Sequence, residues 1–192
     1  MGFFDALLGR TKPVQPNLDA LFAIPSAAYT LQAALDLRPT GAGAVAFEQA
    51  EGAGARRSQD EILDVLHLEP SITVTVTRDE YDYTWIVCRQ DETDPAALVT
   101  GLHAINSTLS DNGFGPNLLC TVIGFDGPGV PARHRLGLVY LFKRGTFYPF
   151  APLPGRRRDN TLELQVRAAL SGELPIEPDL ERWFPVWDAP TP

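Results

Sequence analysis

The chain is poor in the residue types that dedicated chemistry needs. It carries two cysteines and three histidines. His67, His103 and His134 stand far apart, and none has a partner at ligand spacing, so no zinc-type constellation can be read from them. Cys88 and Cys120 fall inside the apolar runs TWIVCRQ and LLCTVIGF, the usual setting of buried thiols in strands, and no CxxC accompanies them. A Cys88–His103 nucleophile and base would need a basic environment to lower the thiol pKa, and the sequence shows none. There is no GxSxG elbow. Gly41-Ala42-Gly43 lacks the later glycine of a dinucleotide fingerprint, and Gly127-Pro128-Gly129 reads as a plain loop. The acids Asp79, Glu80 and Asp82 have no EF-hand spacing and read as a solvated turn. The expectation is a chain with no catalytic residue, no metal and no cofactor.

Apolar length and positive charge are scarce as well. No apolar run approaches the ~18–20 residues that cross a bilayer. The first apolar piece, Phe3 to Leu8, is interrupted by Asp5 and lacks the basic leader and small-residue cleavage site of a signal peptide. Ala6 sits where a myristoylation signal wants Ser or Thr. The net charge of −8 opposes non-specific binding to nucleic acid and to anionic lipid. No nucleic-acid partner is therefore expected, and membrane association is at most peripheral. The expected setting is the cytoplasm, at most the inner face of the membrane.

What remains is an ordinary globular composition, 44% hydrophobic and 21% charged over 192 residues, enough for one large domain with its own core. Residues 1–16 read as an amphipathic appendage and linker: Phe3, Phe4, Leu7 and Leu8 are apolar, Gly9 ends the segment, and Pro13 and Pro16 stiffen the connector to the domain. Two readings of it stay open: a flexible end or one docked on its own domain, and contact with a membrane or partner helix. Residues 17–192 read as a single α+β domain.

Within that domain Asn17 is a candidate helix cap, and Pro25 forces a kink or a restart before Ser26 to Leu35. A strand is expected over 43–49 and a short helix behind the capping box Ser58-Gln59-Asp60-Glu61. Ser71 to Thr77 is the clearest strand: Ile72, Val74 and Val76 face one way and the threonines the other, which demands an antiparallel or mixed sheet with one wet face. Asp79 to Asp82 turns the chain back into Tyr83 to Gln90. Asp94-Pro95 opens a helix with the stripe Leu98, Leu102, Ile105 and Leu109, stopped at Asp111-Asn112-Gly113. Further strands are expected over Leu118 to Phe125, Arg135 to Lys143 and Thr146 to Phe150. Asn160-Thr161-Leu162-Glu163 reads as a second capping box, with Gly172 ending the last helix. The proline-rich tail holds Trp183, Phe184 and Trp187, side chains large enough to predict that it docks on the domain. The fold class is α+β, a largely antiparallel sheet flanked by helices, and its element order resembles that of the type III secretion chaperone-like fold.

One stretch concentrates cationic and aromatic residues, Leu136 to Leu170. Lys143 and Arg144 form one basic turn, Arg156, Arg157 and Arg158 another, and Phe147, Tyr148 and Phe150 lie between. Such a run is either a solvated charge cluster beside core aromatics or a contact surface for an acidic partner. The candidate partner-binding residues are Lys143, Arg144, Arg156, Arg157, Arg158, Phe147 and Tyr148.

Almost the whole chain resembles the PspAB family, the PspA-associated proteins of actinobacteria. The blocks that carry the resemblance are MGFFDALLGR with PNLDALFAIPSAA, DEYDYTWIVCR, LHAINSTLSDNGFGPNLLC, VYLFKRGTFYPFAP, RRRDNTLELQVRAAL and PDLERWFPVW. None of these blocks is a catalytic motif. The resemblance implies association with PspA, the coiled-coil effector of the phage-shock response to envelope stress, and it implies no defined activity or site. The expected function is therefore a non-enzymatic accessory that binds a PspA-like coiled-coil protein. Two alternatives stay open: a chaperone-like homodimer that holds a client segment, whose mark would be an exposed apolar face or groove, and an enzyme of unknown type, whose mark would be a deep pocket of polar groups with perturbed pKa values.

Overall fold

The computed structural model describes residues 16–48, 73–90, 94–129, 134–187 and 189–191. The amphipathic appendage up to residue 15, His67 and the helix expected behind Ser58 lie outside the described residues.

A 3₁₀ turn, Leu18–Ala23, leads directly into helix α1, Ile24–Leu35. Pro25 is the reason for the restart: it sits in the first turn of α1, where its missing N–H costs nothing and its fixed φ suits the helix. Asn17 makes no side-chain cap. The helix closes at Asp36 in the left-handed region (φ 51°), whose N–H returns to the Gln32 carbonyl at 3.1 Å. By length and composition Leu18–Leu35 would pass for a membrane span, with a mean hydropathy of 1.2, which corrects the expectation that no stretch approaches that length. Its alanines raise the hydropathy without forming an unbroken apolar run, and Leu21, Ile24, Ala27, Ala28 and Leu31 are buried in the core shared with the sheet.

Six strands come next: β1 Arg38–Glu48, β2 Thr73–Arg78, β3 Tyr83–Arg89, β4 Leu118–Gly127, β5 His134–Leu141 and β6 Thr146–Phe150. They form one sheet in the order β2-β3-β1-β4-β5-β6, and every pairing is antiparallel. β1 starts five residues earlier than its apolar alternation suggests and bulges between Pro39 and Gly43. β2 keeps the expected alternation, with Val74 buried and Thr73, Thr75 and Thr77 exposed. His134 opens β5, with its ring 3.8 Å from Asp159.

Helix α2, Pro95–Leu109, carries the chain from β3 to β4 across β1. Asp94 caps it through a bond from the Ala96 N–H at 2.8 Å, and Leu98, Leu102, Ile105 and Leu109 are buried as their spacing predicts. Gly43 permits this crossing: a Cβ there would stand 2.6 Å from the Leu102 Cδ1. Helix α3, Asn160–Leu170, packs beside α1 and β6. Its cap is not Asn160. Asp159 accepts the Leu162 N–H at 3.0 Å, and Glu163, the expected reciprocal partner, points inward to other donors.

The sheet buries both faces. Val45, Phe47, Ile86, Cys88, Ile123, Leu138, Tyr140 and Phe147 belong to the core beneath the helices. Their alternates Ala44, Ala46, Trp85, Val87, Cys120, Val122, Val139 and Tyr148 form a second apolar layer. Strands that must bury both faces read as continuous apolar runs. The second face is covered by the C-terminal segment. Residues 175–177 pair along β6, with Phe147 N–H to Pro175 O at 2.9 Å and Glu177 N–H to Phe147 O at 2.7 Å. Trp183 then stacks on Tyr148 with ring centroids 6.1 Å apart, and Trp187 meets Phe150 edge-on at 4.9 Å. Farther on, the Pro190 carbonyl accepts from Arg89 on β3 at 2.8 Å. The segment thus runs as a strap from β6 to β3.

Candidate functional site

The strap does not cover the second face completely. At the end of the sheet marked by the β2–β3 and β5–β6 turns, it leaves an open pocket of about 500 Å³. The strands supply the floor: Trp85 from β3, Ala46 from β1, Leu119 and Cys120 from β4, Leu141 from β5 and Tyr148 from β6. Register explains why they meet, because Trp85 pairs with Ala46, Ala46 with Cys120 and Cys120 with Leu141 in one transverse row. The β2–β3 turn contributes Asp79, Tyr81 and Tyr83, and the strap contributes Arg182 and Phe184 to Trp187. Tyr81 and Phe184 are 59% and 60% exposed, far more than large aromatics usually are, so the mouth presents apolar surface to solvent.

Asp79 is turned away from chemistry. Its carboxylate accepts from the Tyr81 and Tyr83 N–H groups, each at 3.0 Å, and from the Trp85 indole at 2.8 Å. These bonds lock the turn and orient Trp85 along the floor. At the other side stand the cations. Arg144 Nε donates to the fully buried Glu177 at 2.6 Å, and Thr146 donates to the same oxygen at 2.7 Å. Arg182 Nη1 lies 3.5 Å from Glu177 and 3.5 Å from Asp179. Burial alone would raise the Glu177 carboxyl, but the donors from Thr146, Arg144 and the Asp179 N–H outweigh it and the net pKa is lowered. Glu177 is therefore an anion that holds two rim guanidiniums in place. Lys143 is exposed and makes no ion pair among the described residues.

The pocket's thiol is inert. Burial pushes Cys120 up to about 12, and Cys88, on the opposite face of the sheet, up to about 12 by the same cause. Among the described residues no three His, Cys, Asp or Glu side chains cluster as metal ligands. His103 lies elsewhere, its ring 4.7 Å from Phe22 and its Nε2 3.5 Å from Asp19.

Of the candidate residues read from the sequence, the pocket gathers Lys143, Arg144 and Tyr148. Phe147 is fully buried beneath the helices against Tyr140, so its ring serves packing. The three arginines do not line the pocket. Arg156, at the tip of a small hairpin formed by β7 Pro152–Leu153 and β8 Arg157–Arg158, pairs with Glu80. Arg157 is exposed and donates to the Pro154 carbonyl at 3.2 Å. Arg158 turns inward: its Nε meets the buried Glu163 at 2.9 Å, its Nη1 meets the Trp183 carbonyl at 2.6 Å, and its guanidinium lies 5.3 Å over the Phe150 ring. It lines a separate, smaller recess of about 280 Å³.

Sequence reasoning missed Tyr81, Tyr83, Trp85, Arg182 and Phe184 as site residues. The signal that could have found them is the run of strands apolar on both faces, which needs a second cover, together with the aromatics of the tail.

Among known proteins, the family model described as PspA associated protein B, PspAB, matches residues 1–191, and no curated protein and no solved structure matches. The chain belongs to the PspAB family, whose name ties it to PspA, a phage-shock stress protein.

Proposed function

We propose that this PspAB-family protein is a non-enzymatic accessory that binds a PspA-like coiled-coil protein in the envelope-stress response, and that the open aromatic pocket is the contact site. One observation carries the reading: the pocket is built from tyrosine, tryptophan and arginine around an apolar floor, with Tyr81, Tyr83 and Phe184 held out toward solvent. Those residue types dominate binding energy at protein contacts, because they bury large rigid area around a polar handle. The protonated state of Cys120 and the full engagement of Asp79 leave the floor without a nucleophile or base, which supports binding over catalysis. The cytoplasmic setting belongs to the same reading, supported by the net charge of −8, which disfavours anionic lipid surfaces.

Titration calorimetry of the full chain with purified PspA tests it. Complex formation at low salt is the expected result, with the Tyr81→Ser/Phe184→Ser double variant at least about tenfold weaker. Absence of a complex sinks the reading; a double variant that binds like the wild type sinks the site. Charge reversal of Arg156, Arg157 and Arg158 is expected to have the smaller effect, since two of the three are engaged within the fold.

The same open apolar pocket also favours the second reading, a chaperone-like protein that holds client segments. Equal affinity for PspA and for unrelated apolar peptides would select it.

A further inference from the structure

We infer that the pocket recognises an amphipathic helix through its side chains alone, seating large apolar residues on the floor and placing a carboxylate at Lys143. This rests on the reading that the pocket is the partner contact, and adds the form and charge of the segment that enters.

The form comes from the hydrogen bonds of the floor. β3, β1, β4 and β5 are all internal strands of the sheet, paired on both sides. β6 would be an edge, but Phe147 already bonds Pro175 and Glu177 of the strap through its N–H and C=O. Among the described residues the pocket therefore offers an incoming chain no free strand edge with which to pair. An extended segment entering it would lose water from its peptide groups without gaining a ladder. A helix satisfies its own peptide groups and projects side chains at i, i+3 and i+4 from one face. A helix lying across the mouth fills an apolar pocket of about 500 Å³ with side chains and leaves no unpaired backbone in it.

The charge comes from which lining groups are already neutralised. Arg144 and Arg182 are directed onto Glu177, and Arg182 also lies beside Asp179. Asp79 is occupied by three donors of its own turn. Lys143 remains, an exposed ammonium on the pocket wall with no ion pair among the described residues. A carboxylate on the partner within a turn of its apolar anchors meets that ammonium, whereas a lysine there is repelled.

The test uses the full chain and three peptides of about 18 residues. The first carries leucines at helical spacing with a glutamate one turn away, the second replaces that glutamate by lysine, and the third breaks the helix with a central proline. Binding is read from tryptophan fluorescence, since Trp85 and Trp187 line the pocket. The glutamate peptide is expected to bind at least about tenfold more tightly than the lysine peptide. The Lys143→Glu variant, checked for an unchanged circular dichroism spectrum, is expected to reverse that order, and the proline peptide to lose binding. Equal binding of the two charged peptides, or an order that Lys143→Glu leaves unchanged, overturns the charge assignment. Equal binding of the proline peptide overturns the helical form. If intact PspA binds and depends on Tyr81 and Phe184 while no peptide does, this inference fails and the contact site stands; if PspA does not bind either, both fall.

Discussion

Arg144 and Glu177 face each other at 2.6 Å, a solvent-touching guanidinium on a carboxylate with no solvent exposure at all. The pair joins the β5–β6 turn to the strap, and Thr146 and Arg182 converge on the same carboxylate. It therefore ties the outermost strand to the segment that covers the sheet, and it sets one wall of the pocket.

Removing that carboxylate should loosen the strap. Glu177→Ala is expected to cost about 2–4 kcal/mol, because it deletes charge-assisted bonds and leaves Arg144 unpaired; the partial solvation of Arg144 and Arg182 keeps the loss below that of a wholly buried pair. Urea unfolding measures it. The pH dependence has a definite sign. The folded pKa of Glu177 is lowered, so its contribution is complete above the unfolded carboxyl value of about 4.3 and fades as pH falls through the lower folded value. Glu177→Gln should flatten the stability profile below about pH 4 and leave its shape near neutrality unchanged.

The start of α3 separates two adjacent candidates. Asp159→Ala is expected to cost about 1 kcal/mol through the lost cap, and Asn160→Ala close to nothing. Thermal melts of the two variants decide it; equal losses would contradict the observed cap.

Two glycines should respond differently to alanine. At Gly127 a Cβ would stand 2.5 Å from the Asp36 carbonyl oxygen, a backbone atom that moves only with the helix end, so Gly127→Ala should cost about 1–3 kcal/mol. At Gly113 nothing lies within 4 Å, and only the φ of +87° opposes a side chain, for about 1 kcal/mol. A larger loss at Gly113 than at Gly127 in chemical denaturation would overturn this ordering.

Both thiols should be silent in the native protein. Cys88 and Cys120 are buried, pushed up to about 12, and placed on opposite faces of the sheet, so neither is a reactive thiolate. A thiol reagent such as dithiobis-nitrobenzoate is expected to modify neither at neutral pH until denaturant is added. Stoichiometric reaction in the folded state would contradict the burial.

The strap depends on its aromatic anchor. Trp183 stacks on Tyr148 and donates its indole N–H to the Glu177 carbonyl at 3.1 Å. Trp183→Ala should cost about 3–5 kcal/mol and expose the last residues to protease before the helices are cut. Limited proteolysis with mass detection reads the order of cleavage.

Much of the scaffold was legible because local chemistry governs it. Asp94 before Pro95 predicted a capped helix, and the stripe Leu98, Leu102, Ile105 and Leu109 named its buried face. The threonines of β2 predicted its wet side. Other signals misled where a neighbour distant in sequence intervened. Glu163 had the spacing of a capping box, yet it is drawn inward by the Ala151 N–H and Arg158, both fixed by the β7–β8 hairpin. The run of three arginines read as one cationic surface, although Arg158 turns inward to Glu163 and the Trp183 carbonyl, Arg156 pairs with Glu80, and Arg157 donates to the Pro154 carbonyl. The pocket was legible only in Lys143, Arg144 and Tyr148; the rest of its lining was not, since Trp85 and Trp187 come from segments about a hundred residues apart.

The sequence by itself determined the family, the α+β class, the two inert thiols and most helix and strand positions, because capping, alternation and apolar spacing act over a few residues. Tertiary structure alone decided which cations are committed to carboxylates among the described residues, and where apolar surface stays open. Lys143 and Arg144 are neighbours in the chain with the same charge. Burial of Glu177 commits Arg144, while Lys143 makes no ion pair among the described residues, and that difference depends on a strap folding back from more than thirty residues away.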